Sequence, residues 1–213
     1  MKKLILSTFA LIIFSISALA QSFIAIGPQL GTTTSDGFPS GSQTQAGGFV
    51  QGQFLIPVGP IEFGMGGTMG LFNQPRFFDN GGGAAFEADP EGTMYVPLTA
   101  SWSAVVLGGA NMQRFSGVTV INPAAGFGAR YLKKDDQGEM RHSIQLMYKC
   151  LFDDVNNSND QTFRGYQFSG YMIRKFSPHL GVLVGGKIDR QSNSLLFGAR
   201  TQPSIYGGIV LTP

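Results

Sequence analysis

The sequence predicts an all-β protein, a closed antiparallel transmembrane β-barrel of 8 to 10 strands, and three observations carry that expectation. Charged residues are only 13% of the 213-residue chain, where ordinary soluble domains hold roughly 25%. The chain contains 30 glycines together with 18 phenylalanines, a poor recipe for a water-facing surface. No stretch after the N-terminal leader is apolar over the ~18 residues that a membrane-crossing helix needs. The spanning structure that remains is a closed barrel, in which each strand bonds its backbone to neighbours and only alternate side chains need be apolar.

Lys2 and Lys3 precede an apolar run from Leu4 to Leu19, and Ala18, Leu19 and Ala20 close it. Charge, apolar core and small residues in that order make a secretory signal peptide. Residues 1–20 are therefore expected to be removed and residues 21–213 to form the barrel domain. Gln21 would then lead the mature chain, with no cysteine there to carry a lipid. The leader takes two of the 15 basic residues and none of the 13 acidic ones, so 15 − 2 = 13 remain against 13. Such a neutral balance lacks the basic excess that nucleic-acid binding requires, which excludes that class. Cys150 stands alone, so stability must come from strand pairing and packing.

The alternation is sharpest from Met140 onward. Met140, His142, Ile144, Leu146, Tyr148, Cys150 and Phe152 share one parity; Arg141, Ser143, Gln145, Met147, Lys149, Leu151 and Asp153 share the other. From Ile61, the apolar parity Phe63, Met65, Met69 and Leu71 opposes Glu62, Gly64, Gly66, Thr68 and Gly70. Glycines on one face suit a narrow interior that cannot hold bulk at every level. Further runs begin at Ile24, Val50, Val96 (as far as Trp102), Ala125, Tyr166, Leu180 and Ile205. These nine runs conflict with the even number expected of a bacterial barrel. The stretch from Met112 to Ile121 either adds a tenth strand, with a bend at Asn122 and Pro123, or is a periplasmic connection in a barrel of eight. Residues 57–60 and 177–179 read as tight turns, and residues 33–45 and 73–91 as long loops facing away from the cell.

The leader, the alternating strands and the closing run from Tyr206 to Leu211 resemble small outer-membrane β-barrel proteins of Gram-negative bacteria, including the OmpA/OmpX-like and porin-family barrels common in Bacteroidetes. Tyr95 to Leu98 and Ala124 to Tyr131 are the stretches most similar to them. The resemblance covers residues 21–213. It implies export to the outer membrane, surrounding outer-membrane lipid, and barrel insertion machinery that reads the last strand. Such proteins usually end on an aromatic residue, whereas this chain ends on Pro213.

A barrel of 8 to 10 strands is filled by its own side chains, and an open aqueous channel needs about sixteen strands. Parity places Glu62, Arg130, Arg141, Lys149, Lys187 and Asp189 in the lumen, where charges must be paired or hydrated. An internal ion-pair network is expected; the alternative leaves these side chains at strand ends in headgroup-level water. His142 and Ser143 have opposite parity and cannot act as base and nucleophile, so no catalytic set is expected. His142 and His179 lack ligand spacing, Asp153, Asp154 and Asp160 lack a calcium-loop register, and Gly64, Gly66 and Gly70 open no helix. No metal or cofactor is expected. Phe23, Phe72, Tyr95, Tyr131, Phe152, Tyr166 and Phe176 fall near strand ends, where rings form girdles at the headgroup level. The expected role is non-enzymatic, envelope support or surface display, with passage of a small solute as an extension. The competing class is an exported soluble β-barrel or sandwich that carries a small apolar ligand.

Overall fold

Period-two sequence becomes ten strands: β1 (Phe23–Ser35), β2 (Gly41–Val58), β3 (Ile61–Asn73), β4 (Ala84–Pro97), β5 (Trp102–Phe115), β6 (Val118–Lys134), β7 (Met140–Leu151), β8 (Phe163–Lys175), β9 (Leu180–Asn193) and β10 (Gly198–Leu211). In this computed structural model the described residues are 22–36, 41–73, 84–115, 118–136, 138–155, 163–193 and 198–213. The expected leader with its expected cleavage site, and Asp160, lie outside them. Each strand pairs antiparallel with its sequence neighbours, and β1 pairs with β10 to close the barrel. Closure leaves no strand edge, as a hydrocarbon medium demands.

The strand count is ten because two readings of the sequence change. Val96 to Trp102 is not a strand: residues 98–101 form the β4–β5 turn, where the Leu98 and Thr99 amides donate to the Trp102 carbonyl at 2.8 and 3.1 Å. Met112 to Ile121 is neither a tenth strand nor a periplasmic connection. It spans the end of β5 and the start of β6, and Asn122 and Pro123 continue β6 opposite Asn111 and Ala110. The segment 73–91 is a loop only in part, since β4 begins at Ala84. Pro90 hides this strand by lacking an N–H, and the β4–β5 register passes from Ala88↔Met112 to Glu91↔Gly109. Residues 33–45 also extend as strand, β1 to Ser35 and β2 from Gly41. There the outer face turns polar, with Thr34 Oγ1 donating to Ser42 Oγ at 3.4 Å. The hairpin therefore outruns the ~9–11 residues that a spanning strand requires.

Connections at 59–60, 98–101, 135–139 and 176–179 share one rim with the start of β1 and the end of β10. Gly59 makes the tightest of them, at φ 63°, a left-handed conformation that glycine adopts without steric cost. The opposite strand ends, separated in sequence by residues 36–40, 74–83, 116–117, 152–162 and 194–197, share the other rim, here called the long-loop rim.

The apolar parity faces outward. Phe63, Met65, Ile144 and Leu146 are 43%, 68%, 40% and 50% exposed, whereas Gln145 is 1% exposed. A soluble carrier of apolar ligands needs the inverse arrangement, so that alternative is overturned. The aromatics divide: Tyr131, Phe152, Tyr166 and Phe176 lie on the outer surface, but Phe23, Phe72 and Tyr95 turn into the lumen. Phe72 lies over Gly70 and Tyr206 over Gly185, where an added Cβ would fall 2.5 and 2.6 Å from the ring. Luminal glycines thus leave room for rings that fill the interior.

The single cysteine, Cys150, is exposed on the outward face of β7. A nitroxide attached there in the bilayer-reconstituted protein should collide freely with oxygen and little with a water-soluble nickel chelate. The opposite preference would place this face in water.

Candidate luminal site

Side chains of inward parity meet across a bore only ten strands around, so residues far apart in sequence come into contact. Toward the tight-turn rim the filling is apolar: Phe23, Ala25, Phe49, Leu132, Met140, Ile173, Leu183, Tyr206 and Val210 form one buried cluster. The Phe49 and Tyr206 rings pack with centroids 4.9 Å apart. Leu55, Tyr95, Val105, Leu107 and Met147 form a second cluster. Together these groups plug that end of the bore.

Polar groups lie among these apolar ones at Glu62, Tyr95 and Arg130, and the rest of the lumen is polar. Arg130 on β6 pairs with Glu62 on β3, and its guanidinium lies 3.9 Å from the centroid of the Tyr95 ring. Tyr95 accepts a hydrogen bond from Gln53 Nε2 and donates to Gln145 Oε1 at 3.0 Å. Tyr171 donates to the same oxygen at 3.1 Å. Lys149 on β7 pairs with Glu91 on β4 at 2.8 Å. Further along, Lys187 on β9 lies 2.6 Å from Glu87 Oε1, 3.6 Å from Asp89 Oδ2 and 3.5 Å from Asp189 Oδ2. In the strand order β9 and β4 are five places apart in either direction, so the Lys187–Glu87 pair spans the full diameter.

Amides complete the array. Asn111 Nδ2 donates to Asp89 Oδ1 at 2.5 Å and to Glu87 Oε1 at 3.2 Å. Gln167 Nε2 donates to Asp189 Oδ1 at 2.7 Å. Arg200 on β10 bonds Gln113 on β5, also diametrically opposite, and donates to Gln191 Oε1 at 2.9 Å. Gln202, two residues further along β10, donates through Nε2 to Gln45 Oε1 at 2.9 Å. A cavity of about 30 Å³ remains among Gln29, Gln51, Asp89, Glu91, Lys149, Lys187 and their neighbours. That is room for a water molecule.

Of the charges that parity placed inside, Arg130, Lys149, Lys187 and Asp189 are buried, and Glu62 is partly buried against Arg130. Arg141 is a correction, because its side chain is exposed on the outside. The β6–β7 register shifts between Lys133 and Lys134, which pair with His142 and Met140. Arg141 is the extra residue of a β-bulge, and the bulge inverts the parity of everything before it. Met140 accordingly points inward, 4% exposed.

Glu87, Asp89 and Glu91 are luminal residues that the sequence reading missed. Their signal is the period-two series Ala85, Glu87, Asp89, Glu91, Thr93, Tyr95, obscured by Pro90 and by so many acids in one strand. The remaining candidates are dispersed. His142 faces outward and is half-buried, while Ser143 is buried in the lumen at 4% exposure. His179 Nδ1 donates to the Thr212 carbonyl at 3.2 Å, at the tight-turn rim. Asp154 Oδ1 accepts from the Ile121 amide at 2.7 Å.

An apolar outer wall, a polar braced lumen and unequal rims define a transmembrane β-barrel of the outer-membrane type. By sequence the chain matches no family model, and no curated protein matches it either. By fold it is similar to the outer membrane protease OmpT of Escherichia coli, at 12% identity and a TM-score of 0.51, over 91% of this chain and 97% of that one. An outer membrane channel of Pseudomonas putida aligns at 9% identity and TM-score 0.46, over 88% of this chain and 95% of that one. The NanC porin aligns at 9% identity and TM-score 0.40, over 90% and 99%. The OmpT likeness shows a shared barrel fold.

Replacing Lys187 by methionine leaves Glu87, Asp89 and Asp189 without their shared base. The variant should lose about 3–5 kcal/mol of stability, read as a lower urea midpoint for unfolding from lipid vesicles. Lys187→Arg should retain most of it, and an unchanged midpoint for Lys187→Met would show that the bridge contributes nothing.

Proposed function

We propose that this chain is an integral outer-membrane barrel with a closed lumen, which supports the envelope and displays its long-loop rim at the cell surface. The observation that carries this reading is the Lys187–Glu87 bridge across the full diameter, backed by an apolar plug at the tight-turn end. A solute would have to break ion pairs in a low-dielectric bore and also pass the clustered apolar side chains. The tight-turn rim faces the periplasm, and β10 is the strand presented to the insertion machinery. A non-catalytic role fits the opposite facing of His142 and Ser143 and the location of His179 at the tight-turn rim.

Purified protein in a planar bilayer should give no discrete conductance steps. Stable, voltage-independent steps would overturn the closed-lumen reading in favour of small-solute passage.

A further inference from the structure

Outside the lumen, cations gather in one sector of the wall. Lys133 on β6 pairs with His142 on β7, which pairs with Arg174 on β8. Three nitrogen-bearing side chains therefore stand side by side, at cross-strand spacings of about 5 Å. Lys133 and Arg174 are exposed and His142 is half-buried. The bulge adds a fourth: Arg141, next to His142, is turned outward and exposed. Regular alternation would have sent this arginine into the lumen, so the bulge moves a charge to the outer wall.

The β6–β7 turn beside this row carries Asp135, the exposed Asp136 and Glu139, the end of β6 adds the exposed Lys134, and Arg174 lies 5.9 Å from the centroid of the Phe176 ring. The charges acting on His142 are Arg174, Lys133 and Arg141, all of one sign. The nearest acids belong to the β6–β7 turn. Asp135 Oδ1 accepts from the Glu139 amide at 3.0 Å, and both Asp135 and Glu139 act on Lys175, which is buried on the luminal side. Among the described residues the ion pairs are luminal, and none includes Lys133, Arg141, His142 or Arg174. Further round the barrel the same row continues as Val182 and Ile209, without charge.

One step toward the membrane centre the adjoining outward row is Trp102, Tyr131, Ile144 and Met172, paired in that order. The Trp102 and Tyr131 rings pack 5.2 Å apart. A cationic row that enters none of the ion pairs among the described residues thus borders an aromatic and aliphatic shelf, at the depth where headgroups meet acyl chains.

We propose that this face binds an anionic glycerophospholipid of the periplasmic leaflet. Lys133, Arg141 and Arg174 take the phosphodiester, and the Tyr131–Ile144–Met172 shelf takes the first part of the acyl chain. The assignment rests on the reading of the chain as an outer-membrane barrel whose tight turns face the periplasm. Charge complementarity selects the headgroup, since each basic side chain near an anionic surface contributes about 1 kcal/mol. The apolar shelf selects a lipid over a free anion.

Native mass spectrometry of the detergent-folded protein tests this, with phosphatidylglycerol and phosphatidylcholine of identical chains as probes. The protein should retain phosphatidylglycerol preferentially. The variant K133Q/R141Q/R174Q should lose that preference by about fivefold per cation removed. R190Q, which removes an exposed arginine of β9 near the opposite rim, should keep it. Equal retention of the two lipids, an unaltered triple variant, or an equal loss in R190Q would overturn the site. Displacement of the lipid by an equal concentration of inorganic phosphate would overturn it too. Heat-modifiable gel migration of the same samples separates the two failures: a chain that never folds in detergent counts against the barrel itself, whereas a folded barrel indifferent to headgroup counts against this site alone.

Discussion

A strand in hydrocarbon has no water to satisfy its amides and carbonyls, so each of those groups must find another strand. The joint between β1 and β10, with Ile24 opposite Leu211 and Ser35 opposite Arg200, is where this chain meets that requirement. Once the sheet is closed, the two faces of every strand meet different media. Large apolar side chains such as Ile24, Met65, Phe127 and Val184 go to the outside, which inverts the usual arrangement of a soluble protein. The low charge content of the chain follows, because half of each strand must be comfortable in lipid.

Closure at ten strands also sets the radius, and the radius sets the chemistry of the lumen. Side chains on opposite strands can touch, and Lys187 with Glu87 and Arg200 with Gln113 do so. Buried charges are tolerable only when matched, and here the bases Arg130, Lys149 and Lys187 each have an acid within bonding reach. Amide side chains fill the gaps between the ions, as Asn111 does for both Glu87 and Asp89. The same geometry that satisfies the charges obstructs the bore, and the plug around Phe49 and Tyr206 obstructs it again in apolar material.

Irregularities in the ladder do specific jobs. Pro90 interrupts the β4–β5 ladder without ending either strand, because β4 keeps its pairing to β3 through Gly67↔Pro90. The bulge at Arg141 reverses the facing of a strand start, so Met140 joins the plug while Arg141 joins Lys133 and Arg174 outside. Both are single-residue events in a fold otherwise governed by strict alternation; Pro90 leaves the register and the facing of β4 unchanged, whereas the bulge at Arg141 decides where a charge and an apolar group reside.

Most of the barrel was legible in the residues, since strands with one face in lipid must alternate and Ile61 to Leu71 or Ser143 to Leu151 do so openly. The class of fold, the outward apolar face and the luminal location of Arg130, Lys149, Lys187 and Asp189 follow from parity alone. What parity cannot supply is a defect in itself: one extra residue at Arg141 flips the facing locally, and a proline amid acids makes β4 look like a loop. Strand number therefore came only from the closed pairing, as did the partners of each ion. Those partners depend on which strands lie across the bore, a three-dimensional relation between β4 and β9 that no local pattern encodes.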